Sequence, residues 1–373
     1  MGILTNQKNK YYSLDAILSK NAQYNMIIGE RSNGKTYACL DYGLKEYCEG
    51  RGQMAIIRRW QDDFRGKRGA VMFQAHEDNG LIEKYTNGKW HNVYYYSGRW
   101  FFCNYDKNDS TKVIKANEPF AYAFSINTME HDKSTSYPNI TNIIFDEFLT
   151  RGQYLPDEFV QFMNVLSTII RQRDNVKIFM LGNTVNKYSP YFTEMGLTNI
   201  KNQEIGTIDV YTYGNSKLKV AIEYSDTPAK KKPSDFYFAF DNPKLSMITG
   251  GAWEINLYPH CPIKYVPKDI RFTYFIQFDD DLLQCEIIKH DDDVFTFIHR
   301  KTTPLKDEDN DLIFSPEYNS KPNWRRKLSK PVLPIEKKIY SFFRMEKVFY
   351  QDNEIGEIVR NYLLWCDSDS LKK

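Results

Sequence analysis

Short apolar runs alternate with stretches in which hydrophobic residues recur every three or four positions. Met26-Ile27-Ile28 reads as a buried strand, and Lys35 to Glu46 follows as a helix. Met54-Ala55-Ile56-Ile57 predicts the next strand. Residues 92–103 predict a hairpin that turns at Ser97-Gly98. Ile140 to Phe145 is a strongly apolar strand. Pro156 opens a helix that carries Phe159, Phe162, Met163, Leu166, Ile169 and Ile170 on one side. Val176 to Leu181 is another buried strand. Strands alternating with helices imply an α/β fold with a mostly parallel sheet covered on both faces.

The texture changes after residue 205. Thr227 to Pro233 is polar, basic and bounded by proline, as a linker or exposed loop would be. Beyond it, Phe272–Phe278, Leu282–Ile288 and Val294–His299 predict strands joined by the acidic turns Asp279-Asp280-Asp281 and Asp291-Asp292-Asp293. A loop rich in proline and lysine is expected over 315–338, and a helix from Asn353 to Cys366. The domain boundary is placed within 205–245.

Composition narrows the class. A chain of 373 residues has room for two domains at roughly 150 residues each. Hydrophobic residues make up 42%, enough for a real core, and 27 Tyr with 24 Phe favour strands. Lys and Arg number 50 against 48 Asp and Glu, so a nucleic-acid surface would have to be local. No run of 18 apolar residues exists, so no membrane partner is expected, and Met1 to Lys10 lacks a secretory apolar core. Six cysteines without a CxxC pair read as reduced intracellular thiols, and the histidines show no HExxH or HxH spacing.

The chemistry begins at residue 29. Gly29-Glu30-Arg31-Ser32-Asn33-Gly34-Lys35-Thr36 is a full GxxxxGK[ST] loop between a strand and a helix. Its amides wrap phosphates, Lys35 reaches the β- and γ-phosphates of ATP, and Thr36 is a Mg²⁺ ligand. The strand at Ile140 ends in Asp146-Glu147. Asp146 suits the Mg²⁺ shell, and Glu147 suits a base that deprotonates the attacking water. Lys35 and Asp146 are too far apart for adjacent strands joined by one helix, which leaves room for an inserted strand. An acidic pair with an inserted strand is associated with the ATPase division that uses a catalytic glutamate (ASCE), not the GTPase division. Asn183, after the strand at Val176, is either a γ-phosphate sensor or an ordinary Gly-Asn turn. Arg171 is the first choice for an arginine finger donated by a neighbouring subunit, and Arg173 the second.

These motifs together resemble the DNA-packaging ATPases of small tailed phages, the φ29-type motors. The shared blocks include Tyr12-Ser13-Leu14-Asp15-Ala16-Ile17-Leu18, the phosphate loop, Ile57-Arg58-Arg59-Trp60 and Lys133-Ser134-Thr135-Ser136-Tyr137-Pro138-Asn139. They continue through Ile144-Phe145-Asp146-Glu147-Phe148, Ile170-Arg171-Gln172-Arg173 and Leu181-Gly182-Asn183-Thr184-Val185-Asn186, and thin beyond residue 205. The resemblance implies roles for Lys35, Thr36, Asp146, Glu147 and Asn183, a finger at Arg171 and a trans-acting lysine at Lys133. The family's lysine after the arginine pair is Gln61 here. Beside Arg58 and Arg59, whose DNA contacts this departure puts in question, Arg65, Lys67 and Arg68 are substitute candidates for contacts to DNA phosphates, the alternative being solvated loop charge.

The resemblance further implies three parts: an ATPase domain over 1–205, a small linker subdomain over 206–245, and an RNase H-like, vestigial-nuclease domain over 246–373. It implies a homo-oligomeric ring, commonly a pentamer, working on double-stranded DNA at the portal of a procapsid in the host cytoplasm, absent from the mature virion. The acidic triplets lie in turns, where carboxylates serve turn chemistry, so nuclease activity is not expected. Arg325-Arg326-Lys327 with Lys330, Lys337 and Lys338 either docks a structural RNA or the portal, or is a solvated loop. A helicase or replication factor, a terminase with an active nuclease, and a nucleotide-binding scaffold are the rival readings.

Overall fold

A computed structural model describes residues 12–30, 33–106, 112–131, 136–150, 154–155, 157–183, 189–214, 217–226, 258–261, 263–278 and 281–368. The chain divides into two compact units, Met1–Trp253 and Glu254–Lys373.

The first unit is built on β1 (Tyr24–Gly29), β2 (Gln53–Arg58), β3 (Asn92–Tyr96), β4 (Arg99–Tyr105), β5 (Val113–Lys115), β6 (Ala121–Ser125), β7 (Ile140–Asp146), β8 (Lys177–Asn183), β9 (Ile208–Tyr213) and β10 (Leu218–Tyr224). Its sheet runs β3-β4-β6-β2-β7-β8-β1-β10-β9, with β5 on β4. Every pairing from β6 across to β10 is parallel, and the outer pairings are antiparallel. The central strands β1, β2, β7 and β8 are largely apolar because both faces are covered. Helix α1 (Lys35–Cys48) packs Leu40 and Leu44 against Ile27, Met54, Ile56, Ile144 and Phe179. Helix α2 (Glu158–Ile170) packs Phe162, Val165, Leu166 and Ile169 against Met26, Ile28, Ile57, Ile143 and Phe145 on the other face. Alternate residues of β1 and β2 thus serve the two cores, as strand geometry requires.

β8 stands between β1 and β7, so the phosphate-loop strand and the acidic strand are not neighbours. The long spacing from Lys35 to Asp146 is filled by β2 to β6, while β8, which follows Asp146 in the chain, is the strand inserted between β1 and β7 that gives the sheet its ASCE-type order. The hairpin β3–β4 turns at Ser97 (φ 48°) and Gly98 (φ 72°), two successive left-handed residues that match the strand twist. The expected boundary at 205 is corrected. β9 and β10 continue the same sheet to Tyr224, with β10 parallel to β1. The rest of the expected linker, 227–245, lies outside the described residues.

The second unit carries β11 (Ile270–Phe278), β12 (Asp281–His290), β13 (Asp293–Arg300), β14 (Ile313–Phe314), β15 (Trp324–Arg325) and β16 (Val348–Tyr350), in the order β15-β14-β11-β12-β13-β16. β11, β12 and β13 form an antiparallel meander, and β14 and β15 add parallel to it. That is the strand order of an RNase H-like sheet, with β16 added parallel at the far edge. The loop expected over 315–338 gives way to helix α3 at Pro334–Arg344. Proline opens it, and the Glu336 carboxylate accepts from the Val332 and Leu333 amides at 2.8 and 3.1 Å. Helix α4 (Asn353–Ser368) closes the unit. Among the described residues no three His, Cys, Asp or Glu side chains come together as a metal group. Asp281 is paired with Arg300, Asp291 occupies a turn at φ 52°, and Asp279 and Asp280 lie outside the described residues.

Candidate nucleotide site

The loop after β1 and the ends of β2, β7 and β8 meet at the C-terminal edge of the parallel strands, where open α/β sheets bind ligands. They enclose a cleft of about 420 Å³ lined by Lys35, Thr36, Arg58, Asp146, Glu147 and Asn183, among others. Gly34, at φ 95°, turns the chain into α1. Lys35 is only 5% exposed and folds back on its own loop. Its Nζ donates to the carbonyls of Gly29 (3.0 Å) and Glu30 (2.6 Å) and to Asn33 Oδ1 (3.1 Å), and stands 3.5 Å from Asn183 Oδ1. Acceptors of this kind hold an ammonium where phosphate oxygens would otherwise meet it. Of the expected cradle, Gly29, Glu30, Asn33 and Gly34 are described, the first three bonding Lys35, while Arg31 and Ser32 lie outside the described residues.

Burial lowers the Lys35 pKa to about 8, against the opposing pull of Asp146 and Glu30. An anionic polyphosphate prefers the charged ammonium. If the cleft takes ATP, its affinity is expected to be full below about pH 8 and to weaken as pH rises through it, because binding must then take up a proton. The limiting slope is about tenfold per pH unit. Equilibrium titration with a fluorescent ATP analogue on both sides of that pH measures this, and Lys35→Arg flattens the profile.

Thr36 Oγ1 donates to Asp146 Oδ1 at 3.1 Å. A hydroxyl beside a buried carboxylate is a hard-oxygen pair that suits Mg²⁺, which takes one or two protein ligands and completes its shell with water and phosphate. The second carboxylate oxygen is held by Arg58, whose Nη2 is 2.5 Å from Asp146 Oδ2 and whose Nη1 is 3.6 Å from Glu147. Arg58, expected at DNA, is thus corrected to a lining residue of the cleft. Its guanidinium competes with a divalent cation for the same carboxylate. Arg58→Ala is expected to lower, several-fold, the Mg²⁺ concentration that half-saturates nucleotide binding, as read in a Mg²⁺ titration at fixed ATP.

Glu147 follows the strand in a left-handed conformation (φ 62°), which costs about 1 kcal/mol for a residue with a side chain. The turn is held by Phe148 N–H donating to Leu181 O (3.1 Å) and by Arg59 Nη1 donating to Glu147 O (3.3 Å). It leaves Asp146 buried and the Glu147 side chain 60% exposed over the cleft. Gly182 is required beside it. A Cβ there would lie 2.8 Å from Leu149 and 2.9 Å from Phe148. Asn183 ends β8 within the cleft, so a ligand contact is open to it.

Arg59, the other arginine expected at DNA, is also corrected. It is 6% exposed and makes a two-pronged pair with Glu158, at 2.6 and 2.7 Å, while its Nη2 donates to Phe148 O at 2.9 Å. Its donors are spent inside the fold. Arg65, Lys67 and Arg68 are exposed on the segment after β2, with Arg65 paired to Asp62 at 2.9 Å. Lys133 lies outside the described residues. Arg171 ends α2 at φ 53°, exposed, and does not line this chain's own cleft among the described residues. Arg173 is excluded as a finger. Its guanidinium donates to the carbonyls of Tyr137, Pro138, Ile140, Ile169 and Ile170, tying the end of α2 to the entry of β7.

Sequence reasoning missed the braces of the phosphate loop. Ser225, just past β10, bonds Asn33, and Tyr12 bonds Glu223 at 2.5 Å. No signal in the sequence marked either, since β10 itself was not expected.

Comparison with known proteins agrees with this architecture. The podovirus DNA encapsidation protein family (Gp16) matches residues 6–214. The DNA packaging protein of Bacillus phage phi29 is 25% identical over 207 residues, 54% of this chain and 55% of that protein. The chain therefore spans about half the length of the curated relatives it matches. Two solved structures share the fold across nearly the whole chain. The bacteriophage Phi-29 viral genome packaging motor assembly has 18% identity and a TM-score of 0.57, covering 95% of this chain and 99% of that one. The Phi-28 gp11 DNA packaging motor has 17% identity and a TM-score of 0.54, covering 96% of each. With more than half of its length matched, this chain belongs to the podovirus DNA encapsidation protein family.

Proposed function

We propose that this chain is an ATP hydrolase that drives double-stranded DNA into a viral procapsid. The observation that carries the reading is the placement of Glu147 over a cleft that also holds Lys35, Thr36 and Asp146, in a chain of the DNA encapsidation family. Lys35 leaves its loop carbonyls for the β- and γ-phosphates. Glu147 takes a proton from water as the water oxygen bonds to the γ-phosphorus and the bond to the bridging oxygen breaks. Mg²⁺, held by Thr36 and Asp146, would neutralise charge on the phosphates. Asn183 senses the γ-phosphate.

Arg171 and Lys133 act on a neighbour's nucleotide in a ring, probed as a pentamer first. The exposure of Arg171 away from its own cleft supports a role in trans. Arg65, Lys67 and Arg68 contact backbone phosphates, since a motor must pass every sequence. The ring works at the portal vertex in the host cytoplasm and is absent from the mature virion. Arg326, Lys327, Lys330, Lys337 and Lys338 dock the portal or a structural RNA, while Arg325 of the same expected stretch is taken up by Glu336 at 2.5 Å. The second unit does not cut DNA, a reading supported by the Asp281–Arg300 pair.

ATP turnover measured against protein concentration, with and without duplex DNA, tests this. The rate per subunit is expected to rise with both, and Arg171→Ala subunits doped into wild type are expected to depress the mixture. Stimulation by single strands alone would favour a helicase. Undiminished turnover in the doped mixture would remove the trans role of Arg171.

A further inference from the structure

We propose that Ser225 is a positioning residue for the nucleotide, acting through Asn33 on Lys35. The inference rests on the reading of the cleft as an ATP site. β10 pairs with β1 as far as Ile28 opposite Tyr224, which delivers Ser225 to the start of the phosphate loop. Both the N–H and the hydroxyl of Ser225 donate to Ile28 O, at 2.7 and 3.0 Å. With its proton so committed, Oγ can only accept, and it accepts from Asn33 Nδ2 at 3.1 Å. That bond anchors the far side of the amide in the orientation that Lys35 requires. Asn33 Oδ1 is turned toward Lys35, where it accepts from the backbone N–H (3.2 Å) and from Nζ (3.1 Å). All three residues are buried, at 3, 5 and 5% exposure, so no solvent supplies a substitute partner.

Without the Ser225 hydroxyl, the buried Asn33 Nδ2 loses the acceptor that anchors it, and Oδ1 is no longer braced against Lys35 from behind. The first glycine of the motif has a second duty in this arrangement. A Cβ on Gly29 would lie 2.0 Å from Ser225 Oγ, so the position must be glycine for the hydroxyl to enter. The same stretch is tied once more from the chain's start. Tyr12 N–H donates to Asn33 O at 3.1 Å, and Tyr12 OH donates to Glu223 at 2.5 Å. Asn33, the residue before Gly34, is therefore held from the β10 side before any ligand arrives.

The test is equilibrium binding of Mg-ATP, ADP and AMP to the full chain, read with fluorescent analogues, for wild type, Ser225→Ala, Asn33→Ala and the double variant. Ser225→Ala is expected to weaken ATP and ADP by roughly five- to tenfold, the equivalent of one hydrogen bond, with AMP binding unchanged and the native circular dichroism spectrum retained. In the Asn33→Ala background it is expected to add nothing. Equal affinity, tighter affinity, or an additive loss in the double variant overturns the proposal. Failure of wild type itself to bind ATP would instead overturn the reading of the site.

Discussion

Glu147→Gln is expected to reduce ATP turnover by about 10²- to 10⁴-fold while leaving ATP binding within a few-fold of wild type. The amide keeps the shape of the carboxylate and loses only the capacity to accept the water's proton. The backbone that aims this side chain is fixed independently of it, by Arg59 on the Glu147 carbonyl and by Leu181 on the Phe148 amide. The side chain itself is mostly exposed and approached by Arg58 only at 3.6 Å, so its replacement perturbs little of the fold. Asp146, by contrast, is buried against Thr36 and Arg58, and its replacement would remove cation binding and packing together. Single-turnover hydrolysis paired with equilibrium ATP binding separates the two carboxylates. Turnover within tenfold of wild type, or a loss of binding that matches the loss of rate, would take the role of base away from Glu147.

The second large effect is on stability. Glu158→Ala is expected to destabilise the first unit by about 3–5 kcal/mol. The carboxylate of Glu158 is fully buried and accepts from Arg59 twice, from Tyr191 OH at 2.8 Å and from Leu155 N–H at 2.7 Å. Removing it strands the Arg59 cation in the core, over the Tyr154 ring at 5.1 Å, with no counter-charge among these partners. Replacing both partners by apolar residues, Arg59→Met with Glu158→Leu, is expected to cost much less than the single change, since no charge is then left unpaired. Urea denaturation of the full-length variants measures both. A single variant within about 1 kcal/mol of wild type would show that the pair does not hold this part of the fold. Because Arg59 also grips the Glu147 and Phe148 carbonyls, the single change should lower turnover as well.

What could be read in advance was what is local in sequence. The phosphate loop is a contiguous motif between a strand and a helix, and Asp146-Glu147 sits at the end of a run that can only be a buried strand. What failed was the assignment of Arg58 and Arg59. Two adjacent arginines read as surface charge. Yet Arg58 ends β2 at the cleft, while Arg59 turns into the core toward Glu158, ninety-nine residues away. A buried counter-charge at that distance leaves no trace in spacing. Arg171 and Arg173 separated for the same reason, since five main-chain carbonyls that claim Arg173 are invisible in side-chain composition. β10 was missed because Leu218–Tyr224 mixes Lys and Glu into its apolar positions, and Ser225 became visible only once β10 was placed beside β1. Helix α3 lay under a proline- and lysine-rich stretch whose last proline, Pro334, is its N-terminal residue.

The central claim is that this chain spends ATP to move duplex DNA into a capsid. The direct measurement is the amount of nuclease-resistant DNA after procapsids of the cognate phage are incubated with genomic duplex, ATP and the full-length protein. Full-length protected DNA with wild type, and none with Lys35→Ala or Glu147→Gln, is the result expected. Protection that persists with those variants, or none with a wild type that hydrolyses ATP on the procapsid, would contradict it.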